Sequence, residues 1–236
     1  MSLVVRRLEW DSEFFGFPIG EGHPVTCDDV AAVDAWAADE RLRCVYLCVP
    51  AENFALLHAA ESVGFHLMGV HVTCDVCAPF STAAGSDHIV VRSVRPVDVA
   101  ALERIAGDAH PDTRFHADPG FSRESCRRLY ETWIRRSSEG WADCVLVAER
   151  GTDVVGYVTL HRRGGSARIG LIAVAGDTRG TGLGRALMRA AFDWCERQSI
   201  ERVTVTTQAQ NVAALRFYIR CGFRVDRMDF WLHKWR

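Results

Sequence analysis

Apolar positions in the first eighty residues alternate between runs of strand length and runs of helical spacing. The run Cys44–Val49 is continuously apolar, as in a buried strand. The pattern predicts strand and loop over 1–27, a helix capped by Asp28 or Asp29 that runs to about Arg41, a strand at Cys44–Val49, a helix at Glu52–Val63 and a strand at Phe65–Val76. This part of the chain is therefore expected to be α/β.

The rest of the chain carries a second and longer series of predicted elements. They are a strand at His88–Val94, a helix that starts at Pro96, a loop over 108–120, a helix at Ser122–Ser137, strands at Asp143–Glu149, Val154–Leu160 and Ala167–Val174, an amphipathic helix from Leu183 and a strand at Arg202–Thr207. The stretch Pro79–Ser86 between the two series is small and polar, which is typical of a linker. We therefore predict an N-terminal unit at 1–80, a linker at 81–87 and a second unit at 88–236.

A glycine-rich turn lies between the last strand of the antiparallel group and the amphipathic helix. Its glycines are Gly180, Gly182 and Gly184. Glycines at a strand-to-helix turn let backbone N–H groups approach an anion, and the helix N-terminus adds about half a positive charge. The spacing differs from the dinucleotide-binding fingerprint, and the lysine of a Walker loop is absent. The turn predicts a phosphate cradle of another kind, with a purely structural turn as the alternative.

Two motifs in order resemble the GNAT N-acetyltransferase superfamily. Arg179–Gly184 has the form Arg-x-x-Gly-x-Gly of the family's acyl-CoA pyrophosphate loop. Asn211–Phe223 has the form Asn-x-x-Ala-x-x-x-Tyr-x-x-x-Gly-Phe of its second signature. The resemblance implies an α/β (α+β) fold with a mixed, mostly antiparallel central sheet flanked by helices. It also implies an acyltransferase that uses acetyl-CoA as cosubstrate and needs no metal.

The resemblance also implies roles for individual residues. The backbone that would bind the pantetheine amides belongs to Leu171, Ile172, Ala173 and Val174, and the N–H groups that would bind the pyrophosphate belong to Arg179, Gly180, Thr181, Gly182, Leu183 and Gly184. Asn211 would help to hold the pantetheine arm, and Tyr218 would protonate the leaving thiolate. A helix N-cap is the alternative for Asn211, and a packed aromatic residue is the alternative for Tyr218.

The general base of the reaction is not evident in the sequence. Many relatives carry a glutamate on the pantetheine-binding strand, whereas Arg168–Val174 contains no acidic residue. The base is therefore expected elsewhere, or to act through water.

An internal similarity joins the two parts of the chain. Residues 45–65 align with 203–223 at a constant offset of 158, which places Asn53 on Asn211 and Gly64 on Gly222. We interpret the N-terminal unit as a degenerate GNAT-like repeat, with chance similarity as the alternative. The repeat would be inactive, because Tyr218 aligns with Ala60 and Gly182 with Pro24.

Three further segments resemble a group of two-part GNAT enzymes that acetylate the amine of nucleotide-linked amino sugars. They are Leu8–Gly16, Thr113–Pro119 and Leu129–Ile134. The residues that would contact the acceptor are Asp11 or Glu13, Arg114 as a partner for phosphate, and His116 or Asp118 as a relay for the amine proton. The alternatives are a wedge that fills the interface between the halves and a solvated polar loop.

Composition and charge exclude some classes of protein. The 236 residues are 48% hydrophobic and 25% charged, with a formal net charge of −2. A disordered chain or a dedicated nucleic-acid binder is not expected from these values. No apolar run reaches 18 residues, and acidic residues interrupt the N-terminus, so we expect no membrane association and a cytoplasmic protein. A homodimer stays open.

Nine cysteines are scattered along the chain, often in apolar runs. We interpret them as buried reduced thiols. The alternative is a zinc site formed by Cys74 and Cys77 together with Cys44 and Cys48.

The sequence thus predicts direct acetyl transfer to a primary amine of a small molecule, most simply a nucleotide-linked amino sugar. Two alternatives stay open. One is a peptide or protein N-terminal acetyltransferase of the same fold, and the other is a non-catalytic acyl-CoA sensor.

Overall fold

Ten strands and eight helices make up the protein in this computed structural model, which describes residues 3–81 and 89–236. The strands are β1 (Val4–Arg7), β2 (Ile19–His23), β3 (Cys44–Pro50), β4 (His66–Cys77), β5 (Val90–Ser93), β6 (Cys144–Arg150), β7 (Asp153–Arg163), β8 (Ser166–Val174), β9 (Arg202–Gln208) and β10 (Arg224–Trp235). The helices are α1 (Glu9–Phe15), α2 (Cys27–Asp39), α3 (Phe54–Ser62), α4 (Val99–Ala109), α5 (Arg114–Ala117), α6 (Arg123–Arg136), α7 (Leu183–Arg197) and α8 (Val212–Arg220).

All ten strands belong to one sheet. Their order is β1-β2-β3-β10-β4-β9-β8-β7-β6-β5. Only β2 with β3 and β8 with β9 are parallel neighbours; the other pairs are antiparallel. The predicted mixed, mostly antiparallel sheet flanked by helices is confirmed. The predicted linker at 81–87 lies, apart from Ser81, outside the described residues, and the division into two units stays a prediction.

The structure corrects the sequence expectation at three places. The N-terminal stretch contains α1, in which Trp10 and Phe14 stack one turn apart at 5.2 Å and Gly16 ends the helix at φ +80°. The predicted loop over 108–120 contains the short helix α5. Helix α2 is capped by Thr26 rather than by Asp28 or Asp29, because the Thr26 hydroxyl and the Asp29 carboxylate form a reciprocal capping box.

Strand β10 is the largest element that sequence analysis missed. It pairs with β3 along one edge and with β4 along the other. Its side chains alternate between two cores. Leu232 packs with the residues beneath α2 and α3, whereas Trp231 and Trp235 pack with the residues beneath α4 and α6. Helices α2, α3, α7 and α8 therefore cover one face of the sheet, and α1, α4, α5 and α6 cover the other.

The internal similarity extends to the element boundaries. Shifted by 158 residues, β3, α3 and β4 coincide with β9, α8 and β10 at both ends. Asn53 and Asn211 cap the two equivalent helices, each accepting from the backbone N–H three residues later at 3.1 and 3.0 Å. Gly64 and Gly222 follow them with φ of +89° and +90°. The two segments therefore share one strand–helix–strand arrangement, and each is called a repeat below; that the N-terminal unit is a degenerate GNAT-like unit stays a prediction.

The two repeats are related by a pseudo-twofold axis through the middle of the sheet. His71 of β4 pairs with Asp229 of β10, and the 158-residue shift exchanges these two residues. Each repeat inserts its last strand into the other, so that β10 separates β3 from β4 and β4 separates β10 from β9. The two halves of the chain therefore share their central hydrogen bonds.

None of the helices formed by the described residues combines the length and the apolar character that crossing a bilayer requires.

The shared central strands predict cooperative unfolding. Leu232 is fully buried on β10, and Leu232→Ala should lower the free energy of unfolding by about 3 kcal/mol because it leaves a cavity. Urea unfolding curves of this variant, recorded by tryptophan fluorescence and by far-UV circular dichroism, should each show one transition, and the midpoints of both should fall by the same amount. Val97→Ala, at a side chain that is 83% exposed, is the matched control and should change stability by less than about 0.5 kcal/mol. Two separate transitions would contradict a shared sheet.

Candidate functional site

A cleft opens where β8 and β9 separate. Their parallel pairing ends at Ile169 and Val205, although β8 continues to Val174 and β9 to Gln208. A bulge at Gly170 and Leu171 interrupts the pairing of β8 with β7, and the Leu171 N–H donates to the Thr159 hydroxyl at 2.9 Å. The edge of β8 that faces β9 is thus free to pair with an extended ligand, as an added strand would.

The cleft widens into a cavity of about 740 Å³. The end of β8, the glycine turn, α8 and the segment after α4 form its walls. Four arginines are among its lining residues, namely Arg179, Arg185, Arg216 and Arg220. Sequence analysis had identified only the first of them, because the other three lie on amphipathic helices and resemble ordinary solvated charges. Guanidinium groups along a mostly apolar cavity favour a ligand that carries phosphate groups.

The glycine turn has the geometry of an anion site. Gly180 and Gly182 have φ of +80° and +91°, and a Cβ atom at either position would meet no heavy atom within 4 Å. Glycine is therefore needed for the left-handed backbone rather than for space. Helix α7 starts after Gly182 without a side-chain cap, and in the described part of the chain no acceptor receives the backbone N–H groups of residues 180–185. These donors are available to an anion.

Gly184 has a different role. A Cβ atom there would lie 3.3 Å from the Phe217 ring on α8. The absence of a side chain lets α7 and α8 pack closely, which brings the second motif against the first.

Tyr218 and Asn211 both line the cavity from α8. Asn211 is the helix N-cap, so the structural role predicted as its alternative is present. Tyr218 is 5% exposed and packs against Phe217 and Phe223. Burial raises the pKa of its phenol well above the ordinary value, which keeps the hydroxyl protonated and able to donate.

The predicted acceptor residues lie on the face opposite α7 and α8, in different environments. Glu13 is exposed. Asp11 is partly buried, and burial raises the pKa of its carboxyl. The imidazole of His116 lies 3.0 Å from the Thr113 hydroxyl, and burial lowers its pKa. These side chains are spread along α1 and along the α4–α6 connection rather than gathered at one point.

Arg114 and Asp118 are joined through a residue that sequence analysis did not identify. His233 of β10 donates from Nδ1 to Asp118 at 2.5 Å and accepts from Arg114 at Nε2 at 2.7 Å. Burial lowers the pKa of His233 to about 4, so the imidazole is neutral and carries its proton on Nδ1. Trp235 Nε1 also donates to Asp118, at 2.9 Å. Asp118 thus orients His233, which in turn orients Arg114.

Aromatic rings enclose the Arg114 guanidinium. Its Cζ atom lies 4.1 Å from the centroid of Tyr46 and 4.3 Å from those of Phe115 and Trp231. Such contacts stabilise a partly desolvated cation. No local sequence motif identifies Tyr46 or Trp231 as partners of Arg114, because they come together only through the pairing of β3 with β10.

The cysteines do not form the zinc site considered as an alternative. Cys44 pairs with Trp235 and Cys74 with Val225, ten residues apart along β10 and so roughly 30 Å apart. Among the described residues, the one cluster with metal-ligand geometry is Cys44 with Asp118 and His233. Burial raises the pKa of the Cys44 thiol far above its usual range, and Asp118 and His233 already bond to each other. This cluster does not fit a resident metal ion.

The family follows from residues 101–223, which match the sequence profile described as "Acetyltransferase (GNAT) family". The chain belongs to the GNAT acetyltransferase family. It is therefore an acyltransferase, and the family uses acetyl-CoA as cosubstrate. The cleft and the glycine turn are formed in part by the two GNAT-like motifs, Arg179–Gly184 and Asn211–Phe223.

Individual relatives extend the similarity beyond the profile. The dTDP-fucosamine acetyltransferase of Escherichia coli O6:H1 is 29% identical over 233 residues, which is 98% of this chain and 97% of that protein. The spore coat polysaccharide biosynthesis protein SpsD of Bacillus subtilis (strain 168) is 29% identical over 140 residues, covering 59% of this chain and 48% of its own length. The GCN5-related N-acetyltransferase from Sphaerobacter thermophilus superposes with a TM-score of 0.71 at 17% identity, covering 99% of this chain and 76% of that chain, and so shares the fold.

The glycine turn yields a direct binding test. Gly182→Ala should weaken CoA binding about tenfold, because an alanine with φ near +90° is strained and the turn would have to move. Gly176→Ala is the matched control, since a Cβ there meets nothing within 4 Å and its φ is not left-handed. Isothermal titration of each variant with CoA gives the comparison. Equal losses in both variants would show that the left-handed turn is not the binding element.

Proposed function

We propose that this GNAT acetyltransferase transfers the acetyl group of acetyl-CoA to a primary amine of a small molecule, the amine of a nucleotide-linked amino sugar. One observation supports the acetyl-CoA part of this proposal, namely that three features suited to this cosubstrate lie along one cavity. The free N–H groups of the glycine turn, the unpaired edge of β8 and the Tyr218 hydroxyl lie along one cavity.

The residues along this path fit the parts of acetyl-CoA. The N–H groups of Gly180 to Gly184 and the Arg179 side chain would hold the pyrophosphate. The backbone of Leu171 to Val174 would pair with the pantetheine amides. Arg216 and Arg220 of α8 line the same cavity and would meet the remaining phosphate.

The chemistry proposed is direct transfer. The neutral amine attacks the thioester carbonyl carbon, a C–N bond forms, and the C–S bond breaks. Backbone N–H groups near Ile172 and Ala173 polarise the carbonyl oxygen. Tyr218 donates its proton to the departing sulfur, for which a buried and protonated phenol is suited. Since β8 carries no acidic residue, the amine proton leaves through water or through a group off this strand.

Two observations support the proposed acceptor. The relative that matches along almost the whole chain is named for dTDP-fucosamine. The face opposite α7 and α8 also carries a buried polar cluster of Arg114, Asp118 and His233. We propose that Arg114 and Asp11 face the acceptor there, that Glu13 and His116 lie at its rim, and that Asp118 acts by positioning Arg114 through His233.

A panel of amines tests the acceptor class. Thiol release from acetyl-CoA should be fastest with nucleotide-linked amino sugars, slower with free amino sugars, and slowest with peptides that have a free N-terminal amine. Fast turnover of peptides would favour a protein acetyltransferase instead. Tight CoA binding without turnover of any amine would leave an acyl-CoA sensor as the better description.

The role of Tyr218 is separable from binding. Tyr218→Phe should lower kcat by about 100-fold, the usual size of a lost general acid, and leave CoA affinity within about twofold. Steady-state kinetics and isothermal titration measure the two quantities. Unchanged kcat would remove the general-acid assignment, and a parallel loss of affinity would indicate a packing role.

A further inference from the structure

Four buried side-chain atoms lack a hydrogen-bond partner among the described residues. They are Tyr46 Oη, His71 Nε2, Gln208 Oε1 and Ser137 Oγ. Buried polar atoms are nearly always paired in folded proteins, so unpaired ones need an explanation, such as a role in binding a ligand. Three of the four belong to residues on one face of the sheet, on β3, β4 and β9.

The three atoms belong to side chains of β3, β4 and β9, on the face that α4, α5 and α6 cover, and β10 lies between β3 and β4. His71 of β4 pairs with Gln208 of β9. The His71 ring lies 5.1 Å from the Trp231 ring, and the Arg114 guanidinium lies 4.3 Å from Trp231 and 4.1 Å from Tyr46. We refer to Tyr46, His71, Gln208 and Arg114 together as the axis cluster, because His71 lies at the pseudo-twofold axis.

Gly69 provides the space that the axis cluster occupies. A Cβ atom on Gly69 would lie 2.8 Å from Gln208 Oε1 and 3.5 Å from Arg114 Cβ. The absence of a side chain at this position lets the Gln208 amide and α5 approach the same point. Gly69 therefore makes room for two members of the cluster, Gln208 and Arg114.

The axis cluster adjoins the cleft. Gln208 ends the part of β9 that forms one cleft wall, and the Thr206 and Thr73 hydroxyls lie 3.1 Å apart on the same face. Gln210 then donates to the Asp112 carbonyl at 3.0 Å, and Asp112 lines the cavity. Tyr218, on α8, packs in the core on the opposite face of the sheet, together with residues of α7. A ligand at the axis cluster would thus reach the thioester from the side away from Tyr218.

The chemistry of the cluster matches hydroxyl groups better than phosphate. Its unpaired atoms belong to a phenol, an imidazole and an amide. Burial lowers the pKa of His71 to about 3, so this imidazole is neutral at physiological pH. The charge of Arg114 interacts favourably with the carboxyl groups of Asp11 and Glu21. The negative charges of these groups disfavour binding of a further anion at the same place. Neutral donors and acceptors in a buried, aromatic-lined place suit a hydroxylated ring.

We propose that Tyr46, His71 and Gln208, assembled around Arg114, bind the ring hydroxyls of the sugar that carries the acceptor amine. This inference rests on the proposed function and adds the specificity-determining residues and the part of the substrate that they recognise. It makes the axis cluster a site to which both halves of the chain contribute.

The test removes one hydrogen-bonding atom from each side of the contact. The probe is dTDP-fucosamine, compared with analogues that lack one ring hydroxyl at a time. Tyr46→Phe and Gln208→Met should each raise the acceptor KM about tenfold, the size of one buried hydrogen bond, and leave the acetyl-CoA KM within twofold. For one analogue, the loss caused by the missing hydroxyl should disappear in the Tyr46→Phe background, since a contact can be lost only once.

Stability separates recognition from structure. An unpaired hydroxyl contributes nothing to the free protein, so Tyr46→Phe should keep or raise the melting temperature while it raises the acceptor KM. Ser137→Ala removes the fourth unpaired hydroxyl, in the turn after α6 and outside the cluster. It should leave the acceptor KM unchanged.

Additive losses with every analogue, or a lower melting temperature with an unchanged acceptor KM, would overturn the inference. If the unaltered enzyme turns over no amine, the proposed function fails. The inference is then decided by isothermal titration of the CoA-bound protein with dTDP-fucosamine. Binding that Tyr46→Phe weakens about tenfold sustains it, and absent or unaltered binding overturns it.

Discussion

Strands β4 and β10 are each inserted between strands of the other half of the chain, and this exchange holds the middle of the sheet together. Each strand comes from one half of the chain and pairs with a strand of the other half. Their backbone N–H and C=O groups are therefore satisfied only when both halves are present. The same insertion fixes the face on which each side chain lies. A slip of one residue would move His71 and Trp231 away from Arg114 to the opposite side of the sheet.

The two repeats share a backbone plan but differ at the start of the helix that would hold phosphate. Helix α7 begins at Gly182 with free N–H groups. Helix α2 begins at Thr26, and the Asp29 carboxylate accepts the N–H groups of Val25 and Thr26 at 2.9 and 2.8 Å. A carboxylate of the chain itself thus occupies the donors and repels an external anion. The N-terminal repeat keeps the architecture and contributes Tyr46 and His71 to the axis cluster.

The two sides of the candidate site differ in how they are assembled. The donor side comes from consecutive elements β8, the glycine turn, α7, β9 and α8, so the spacing of residues in the sequence carries its geometry. The axis cluster comes from β3, β4, β9 and α5, which are distant in sequence.

Features that depend on short-range order could be predicted from the sequence. Strand and helix periods, the left-handed glycines, the Asn211 cap and the position of Tyr218 are local properties, and the predicted elements up to Phe223 recur in the structure. Sequence analysis did not identify α1, α5, β10, His233 or the axis cluster. Their placement depends on contacts between residues more than a hundred positions apart, such as Arg114 with His233. Those contacts become visible only in the folded chain, because strand order and register are set by the burial of both faces of the sheet and not by any one segment.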